Sequence, residues 1–156
     1  MIEVRPAEPE DAAFVRRTLS DGWGSPSIAA HGELIDASAL PALVAWRGGE
    51  RAGLLTYRAG DDWEIVTLNA VVQGTGAGGA LIDALRAPAA GSGARRLRLV
   101  TTNDNTGALR FYQRRGFDLA AVHRDAVTEA RRRKPPIPRE ADGIPIRHEL
   151  ELRLDL

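Results

Sequence analysis

The stretch VTLNAVVQGTGAGGALIDAL, residues Val66–Leu85, contains the most informative pattern in the sequence. It begins as a strand-like apolar run, has glycine at four of the six positions 74–79, and ends with apolar residues at helical spacing. A strand, a glycine-rich bend and a helix N-terminus together form an anion site. The first N–H groups of a helix have no acceptor within it, and the helix dipole favours negative charge.

The glycine spacing alone is compatible with several sites. Gly74-x-Gly76-x-x-Gly79 matches the dinucleotide-binding fingerprint, which belongs on the first strand of a doubly wound sheet with an acidic residue about twenty positions later. Here arginines, among them Arg95 and Arg96, occupy that region, and about seventy residues precede the loop. A phosphate P-loop does not fit, because no Lys-Ser/Thr follows the glycines. A strand-to-helix turn that binds nothing stays open as an alternative.

Length and composition exclude several classes of protein. The 156 residues predict a single domain spanning 1–156, and the formal net charge of zero argues against nucleic acid or a membrane surface as a partner. The chain has no cysteine, so disulfides, thiolate nucleophiles and cysteine-ligated metals are excluded. No long apolar segment or signal peptide is present, which predicts a cytoplasmic protein.

Periodicity and turn residues predict a mixed order of strands and helices. After a first strand, a helix is expected to stop near Asp21-Gly22, and three consecutive antiparallel strands should precede the glycine loop. The helix after the loop should end or kink near Ala87, because Pro88 follows. The remaining predicted elements are strand 96–100, helix Asn105–Gly116, strand Phe117–Val122, a short helix Asp125–Arg133 and strand Ile146–Leu156.

Two further segments carry specific expectations. Asp21–Gly32 is glycine-rich and is predicted to be a loop, either a surface turn or part of a binding wall. In Ile146–Leu156, apolar and charged residues alternate, which predicts one buried and one solvent-facing side. His148 falls on the apolar side, where a histidine satisfied by one hydrogen bond is the favoured interpretation.

Three motifs resemble one known family. Gln73-x-x-Gly76-x-Gly78 resembles the pyrophosphate loop of the GNAT family, the acyl-CoA-dependent N-acetyltransferases. Asn105-x-x-Ala108-x-x-x-Tyr112-x-x-x-Gly116-Phe117 is similar to that family's second signature, and Trp63–Val66 resembles the strand that carries its general-base glutamate. The resemblance implies an α/β (α+β) fold, with a mixed, mostly antiparallel sheet of about seven strands and about four helices.

The resemblance implies acetyl-CoA as co-substrate and no metal. It places cofactor-binding residues late in the strand, in the glycine loop and at the start of the later helix; these are Leu68, Ala70, Gln73, Gly74, Gly76, Ala77, Gly78 and Asn105. Loop N–H groups would hold the pyrophosphate, with Gln73 closing the loop, and a backbone N–H near Leu68 would stabilise the oxyanion. Asparagine at a helix start is also commonly only a cap, so both roles stay open for Asn105.

Catalysis by the same resemblance requires a base and an acid. Glu64 is the candidate general base for the amine, with a solvent-facing strand residue as the alternative. Tyr112 is the candidate general acid for the leaving thiolate, with core packing as the alternative. Asp21 and Trp23 are candidate acceptor-binding residues, and Asp21 is a second, weaker candidate base.

The function implied is transfer of an acetyl group from acetyl-CoA to a primary amine of a small molecule or peptide. A non-catalytic CoA-binding sensor or interaction module is the first alternative, and a dinucleotide-binding domain is the second. Because members of the family are often dimers, a homodimer is a further expectation from the resemblance.

Overall fold

Seven strands form the main sheet of the computed structural model, which describes residues 1–156. All four of its pairings whose register is resolved are antiparallel, so the predicted mixed, mostly antiparallel class is confirmed. The strands of this sheet are β1 (Ile2–Pro6), β4 (Ala42–Arg47), β5 (Glu50–Arg58), β6 (Trp63–Ala70), β7 (Arg96–Thr102), β8 (Asp118–His123) and β11 (Glu149–Asp155). The α-helices are α1 (Ala12–Trp23), α2 (Ala77–Gly91), α3 (Thr106–Arg114) and α4 (Ala126–Arg133).

Contacts divide the chain into two compact units. The first contains Met1–Ser27, Asp36–Leu97 and Leu156, and its strands are ordered β1-β4-β5-β6. The second contains Ile28–Ile35 and Arg98–Asp155, and its strands are ordered β7-β11-β8. The single domain expected from chain length stays a prediction.

The first unit is built on two hairpins. Gly48 and Gly49, with φ of +58° and +82°, make the turn between β4 and β5, as the Gly-Gly pair predicts. On the next hairpin, the cross-strand partners Thr56 and Thr67 place their hydroxyl oxygens 2.6 Å apart in the core. Each buried hydroxyl therefore has a hydrogen-bond partner, which removes the cost of burying it alone.

A buried ion pair fastens the start of α1 to the first residues of β5. Asp11 is 3% exposed, accepts the Glu8 N–H at 2.8 Å and accepts Arg51 Nε at 2.7 Å. Burial opposes ionisation of this carboxyl, but the Glu8 N–H and the Arg51 guanidinium outweigh it and hold the pKa of Asp11 below its usual range. The same guanidinium lies 4.7 Å from the centroid of the Trp46 ring, so one side chain links the start of α1, β5 and β4.

Helix α2 packs on β5 at a position without a side chain. A Cβ atom at Gly53 would lie 3.3 Å from Ala77 Cβ and 3.1 Å from Leu81 Cδ1. The helix continues through Pro88 to Gly91, so an end near Ala87, one of the two predicted alternatives, is wrong. Pro88 lies in the last turn of the helix, where its missing N–H removes one backbone hydrogen bond. Its carbonyl oxygen still accepts the Ser92 N–H at 3.0 Å.

In the second unit, the last strand is shorter than predicted and two of its charged residues are buried. Asn103 Oδ1 accepts the N–H groups of Arg147 and His148, both at 2.9 Å, so pairing with β8 starts only at Glu149. Glu149 and Glu151 are 4% and 5% exposed, which corrects the expectation of a solvent-facing charged side. Half-buried His148 accepts one hydrogen bond at Nδ1, from the Asp125 N–H at 2.9 Å.

Two connections are more regular than a loop. The predicted loop Asp21–Gly32 contains the end of α1 and a strand, β2 (Ser27–Ala30), which pairs with the following strand β3 (Glu33–Asp36). After α4, β9 (Glu140–Ala141) and β10 (Ile144–Pro145) form another small hairpin. Arg131 fastens this second connection by donating to the carbonyl oxygens of Pro138 at 2.8 Å and Ile146 at 2.6 Å.

We predict that Gly53→Ala lowers the free energy of unfolding by about 1–3 kcal/mol, because its methyl group overpacks the contact between β5 and α2. Gly91→Ala is the matched control, since a Cβ at the end of α2 meets nothing within 4 Å and should leave stability unchanged or slightly higher. Urea denaturation measures both. Equal stability of the two variants would contradict the described packing.

Candidate active site

The predicted glycine turn lies exposed between β6 and α2. Gly74 and Gly76 have φ of +74° and +83°, a backbone conformation that favours glycine. A Cβ atom at either position would meet nothing within 4 Å, so the turn borders open space. An anion can therefore approach the backbone here closely.

The first turn of α2 presents amides without acceptors inside the helix. Gly76 is the N-cap residue, and no side chain caps this end. Its carbonyl oxygen accepts the Ala80 N–H at 3.0 Å, so the N–H groups of Ala77, Gly78 and Gly79 precede the first intrahelical hydrogen bond. These donors, with the positive end of the helix dipole, fit a phosphate group.

Side chains and amides fix where this turn begins. Gln73 Nε2 donates to the Ala70 carbonyl oxygen at 3.0 Å, and the Val71 N–H donates to the Ala52 carbonyl oxygen at 2.8 Å. Thr75 Oγ1 donates to the Val72 carbonyl oxygen at 3.0 Å. Gln73 therefore closes the turn against the end of β6, through the carbonyl of Ala70.

Strand β6 carries an irregularity between its two predicted functional positions. Thr56 on β5 faces Thr67, whereas Tyr57 faces Ile65, so Val66 is an extra residue without a partner. Such a bulge bends a strand locally and is common beside active sites. It separates Glu64 from Leu68, the predicted oxyanion position.

Glu64 is buried and paired, not solvent-facing. It is 5% exposed, and its Oε1 accepts Arg58 Nε at 3.0 Å and a second Arg58 nitrogen at 2.6 Å. Arg58 is its cross-strand neighbour on β5, and the adjacent Tyr57 and Trp63 rings stack with centroids 5.2 Å apart. The guanidinium stabilises the carboxylate form of Glu64, which is the form that can accept a proton.

Tyr112 lies in the core of the second unit. It is 7% exposed and makes edge contacts with Phe111 and Phe117, with ring centroids 5.2 and 5.3 Å away. Burial raises the pKa of the Tyr112 phenol well above its ordinary value. The group therefore holds its proton at neutral pH and can act only as a donor there.

Asn105 caps α3, as one of its two predicted roles requires. Its Oδ1 accepts the Ala108 N–H at 3.2 Å, and its Nδ2 donates to Thr101 Oγ1 at 3.2 Å. Gly116, with φ of +92°, follows the other end of the helix. The predicted extent of this helix is thus confirmed to within two residues at each end.

Asp21 lines a cleft of about 570 Å³ in the first unit. The cleft is bordered by α1, the β4–β5 turn and the end of β6, including Ala70 and Val71, which directly precede the glycine turn. Asp21 is exposed, and Trp23 is half-buried at the last position of α1. The structure therefore brings Asp21 and Ala70 to one cleft, whereas Glu64 does not line it.

Two residues beside the predicted site escape sequence reasoning. Asn69 lines the cleft, and its Oδ1 is buried without a hydrogen-bond partner. Arg58 pairs with Glu64, and the sequence could have indicated this pair. The Gly60-Asp61-Asp62 turn predicts a hairpin that places positions 58 and 64 opposite each other. No pattern in the sequence distinguishes Asn69.

Residues 1–156 contain neither a metal-binding cluster nor a membrane-spanning helix. No group of three or more histidine, aspartate or glutamate residues is arranged so that it could hold a metal ion. None of the helices has both the length and the apolar character needed to span a bilayer.

Comparison with protein families gives one match that covers most of the chain. The model described as the acetyltransferase (GNAT) family matches residues 12–117. The uncharacterized protein YdhI of Bacillus subtilis (strain 168) is 40% identical over 131 residues, which is 82% of each chain. A second uncharacterized protein of that organism, YxbD, is 36% identical over 137 residues, or 86% of each chain.

Solved structures share the fold at low sequence identity. The IAA acetyltransferase from Bacillus cereus ATCC 14579 aligns over 100% of both chains with a TM-score of 0.78 and 20% identity. A Bacillus subtilis acetyltransferase in complex with CoA aligns over 100% of this chain and 99% of its own, with a TM-score of 0.71 and 22% identity. A GNAT family acetyltransferase from Elizabethkingia anophelis with acetyl-CoA bound gives a TM-score of 0.70 and 20% identity, over 99% and 98% of the chains.

The raised pKa of Tyr112 predicts a loss of stability at alkaline pH. Above its ordinary pKa of 10.0, the phenol ionises in the unfolded chain but keeps its proton in the folded one. The free energy of unfolding should therefore fall by about 1.4 kcal/mol per pH unit above that value, and Tyr112→Phe should abolish this contribution. Urea denaturation from neutral to alkaline pH measures the slope.

Phe117→Leu is the control for this experiment, since it loosens the same aromatic cluster without removing a phenol. It should lower stability at every pH and keep the wild-type alkaline slope. If the free energy of unfolding falls with pH equally in wild type and Tyr112→Phe, the phenol titrates alike in the folded and the unfolded chain, which contradicts the prediction.

Proposed function

The chain belongs to the acetyltransferase (GNAT) family, and from this premise we propose that it is an N-acetyltransferase that transfers an acetyl group from acetyl-CoA to a primary amine by direct attack. One observation carries the proposal, namely the open glycine turn whose unpaired amides continue into the first turn of α2. When bound, acetyl-CoA supplies the acetyl group as an activated thioester.

In this proposal, backbone groups bind the diphosphate of acetyl-CoA. The N–H groups of Gly74, Gly76, Ala77 and Gly78 are donors at a helix N-terminus, where negative charge is favoured. Gln73 positions the turn through its bond to the end of β6. No lysine or metal is needed, because oriented amides and the helix dipole supply the positive potential.

The end of β6 is assigned to the rest of the co-substrate. Leu68 offers a backbone N–H to the negative charge that develops on the carbonyl oxygen during attack, and Ala70 lies beside the arm that precedes the thioester. Asn105 is assigned to the same arm. Its hydrogen bonds to the Ala108 N–H and to Thr101 Oγ1 hold the side-chain amide in one orientation. This supports a role for Asn105 in positioning the arm of the co-substrate as well as in binding it.

Glu64 is proposed as the general base. Two contacts from Arg58 fix the orientation of this carboxylate on β6, and it is proposed to take a proton from the attacking amine, directly or through a water molecule. The adjacent bulge at Val66 gives β6 a local bend between this carboxylate and the Leu68 amide.

Tyr112 is proposed as the general acid. Its buried phenol is protonated at neutral pH, so it can donate a proton to the departing sulfur. Glu64 belongs to the first unit and Tyr112 to the second. The base role of Glu64 and the acid role of Tyr112 are tested with separate variants.

For the acceptor, we assign Asp21 and Trp23. The exposed Asp21 carboxylate suits the ammonium form in which an amine arrives, and the half-buried Trp23 suits an apolar part of the same molecule. The acceptor class is therefore a small molecule or peptide with a primary amine.

Thiol release from acetyl-CoA across a panel of amines, amino acids, polyamines, aminoglycosides and peptides tests the function. We expect release that depends on at least one amine and a stable N-acetyl product by mass spectrometry. Binding of acetyl-CoA without amine-dependent release on any compound would instead indicate a CoA-binding module.

The two catalytic assignments make different kinetic predictions. Tyr112→Phe should lower kcat by about 100-fold and leave acetyl-CoA affinity unchanged, because only proton donation is removed. Glu64→Gln should lower the rate and shift its rise with pH to more alkaline values, because deprotonation of the amine then depends on the solvent. Glu151→Gln is the matched control, since Glu151 is equally buried at 5% exposure and accepts Arg153 Nε at 2.6 Å.

These variants also define the contrary results. If Tyr112→Phe leaves kcat unchanged, Tyr112 is not the general acid. If Glu64→Gln and Glu151→Gln give the same pH–rate profile, another group is the general base, and Asp21 is the next candidate.

A further inference from the structure

The cleft in the first unit has room for a small molecule that acetyl transfer does not account for. Its volume of about 570 Å³ is typical of a small-molecule site, and only Asp21 and Ala70 among its lining residues have a role in the proposed reaction. Asn69 and Ala70 follow Glu64 on β6 by five and six residues, which is about 17–20 Å along a strand. A small molecule that binds in the cleft would therefore not contact the proposed base.

Two charged side chains that line the cleft have no partner in the protein. Arg17 is exposed on α1, and Glu50 is exposed at the first position of β5. Neither of them forms an ion pair or a side-chain hydrogen bond. Arg51, the second arginine of the lining, is instead paired with Asp11 at 2.7 Å. Arg17 and Glu50 thus offer one cation and one carboxylate to a ligand, in addition to Asp21, which is assigned to the acceptor.

The side-chain amide of Asn69 is also without a partner in the protein. Asn69 is half-buried in the lining of the cleft, and its Oδ1 is buried without a hydrogen bond, whereas nearly all buried polar atoms in proteins have one. A Cβ atom at Gly22 would lie 2.6 Å from Asn69 Nδ2, so the end of α1 can pack on this amide only because Gly22 has no side chain. The amide is thereby fixed beside the cleft, and its NH₂ group is a donor that suits a carboxylate.

The remaining surface of the cleft is partly apolar. Val71 is 50% exposed, and Phe14 adds an aromatic ring to the same lining. The ionisable residues of the lining are two arginines and two acids, which favours a ligand without net charge; they are Arg17, Arg51, Asp21 and Glu50. An α-amino acid carries an ammonium nitrogen and a carboxylate carbon about 2.5 Å apart, beside one side chain, and has no net charge. It therefore matches the unpaired charges and the apolar surface together.

We propose that this cleft is an effector site for a free α-amino acid with an apolar side chain. Arg17 and the Asn69 amide bind its carboxylate, and Glu50 binds its ammonium group. Its side chain packs on Val71. Charge-assisted hydrogen bonds are roughly twice as strong as neutral ones, so both charged ends of the ligand are needed for binding. The ligand is not itself acetylated, because it lies at the far end of β6 from the proposed base.

The cleft adjoins the backbone that fixes the start of the glycine turn. Ala70 and Val71 line the cleft, and the Val71 N–H donates to the Ala52 carbonyl oxygen at 2.8 Å. The Ala70 carbonyl oxygen accepts Gln73 Nε2 at 3.0 Å. A ligand that packs on Val71 stabilises this start of the turn, and so favours the backbone arrangement to which the diphosphate of CoA is assigned. By linkage, CoA raises the affinity for the amino acid by the same factor.

Calorimetric titration of the protein without CoA tests whether the site exists. L-leucine should bind saturably, whereas L-leucinamide, which lacks the carboxylate, and 4-methylpentanoate, which lacks the ammonium group, should each bind at least about 10-fold more weakly. Arg17→Gln should weaken the binding of L-leucine to a similar extent and should not weaken the binding of L-leucinamide. Arg16→Gln is the matched control, because Arg16 is exposed on the same helix and does not line the cleft.

The effector role has a separate readout. At saturating L-leucine, CoA should bind at least about 5-fold more tightly than without it, and Arg17→Gln should lose this difference. No saturable binding of L-leucine, equal binding of the three compounds, or equal effects of the two arginine variants would overturn the site. An unchanged CoA affinity, or formation of N-acetyl-leucine from acetyl-CoA, would overturn the effector role. Absence of CoA binding would overturn that role together with the proposed acetyl transfer, and the L-leucine titration would still decide whether the site exists.

Discussion

The site depends on how closely α2 approaches the sheet where β6 ends. Gly53 and Ala70 are cross-strand partners, and the absence of a side chain at Gly53 lets Ala77 sit directly on β5. The start of the helix is thereby held beside the last residue of β6, and the intervening chain must turn sharply through Gly74 and Gly76 at positive φ. A row of backbone amides is left facing open space, and every assignment for the co-substrate follows from that row.

Buried carboxylates paired with arginine recur throughout the structure. Asp11 with Arg51, Glu64 with Arg58, and Glu151 with Arg153 each place an acid of less than 6% exposure against a guanidinium. Removing one partner of such a pair leaves an uncompensated buried charge, which typically costs about 3–5 kcal/mol. The candidate base therefore also has a structural role, and its pH profile is a sharper readout than its activity alone.

Sequence reasoning succeeded where local chemistry dictates the result. The turn at Gly48-Gly49, the cap at Asn105 and the extent of α3 depend on glycine conformation and on hydrogen bonds to nearby backbone. It failed where distant contacts decide. Alternation along β11 could not reveal that the Glu151 side is buried, because Arg98 and His123, which lie within 3.5 Å of it, come from other strands. Likewise, a proline signal could not show that α2 has only one turn left at Pro88.

Calorimetric titration with CoA and, separately, with pantetheine, which lacks the diphosphate, tests whether the glycine turn binds that group. If the amides of the glycine turn bind the diphosphate, CoA should bind and pantetheine should bind at least about 100-fold more weakly, a difference of ~2.7 kcal/mol. A folded Gly76→Asp variant, which places a carboxylate in the turn, should lose that difference. Equal affinity of wild type for both compounds, or no binding of CoA, would contradict the account.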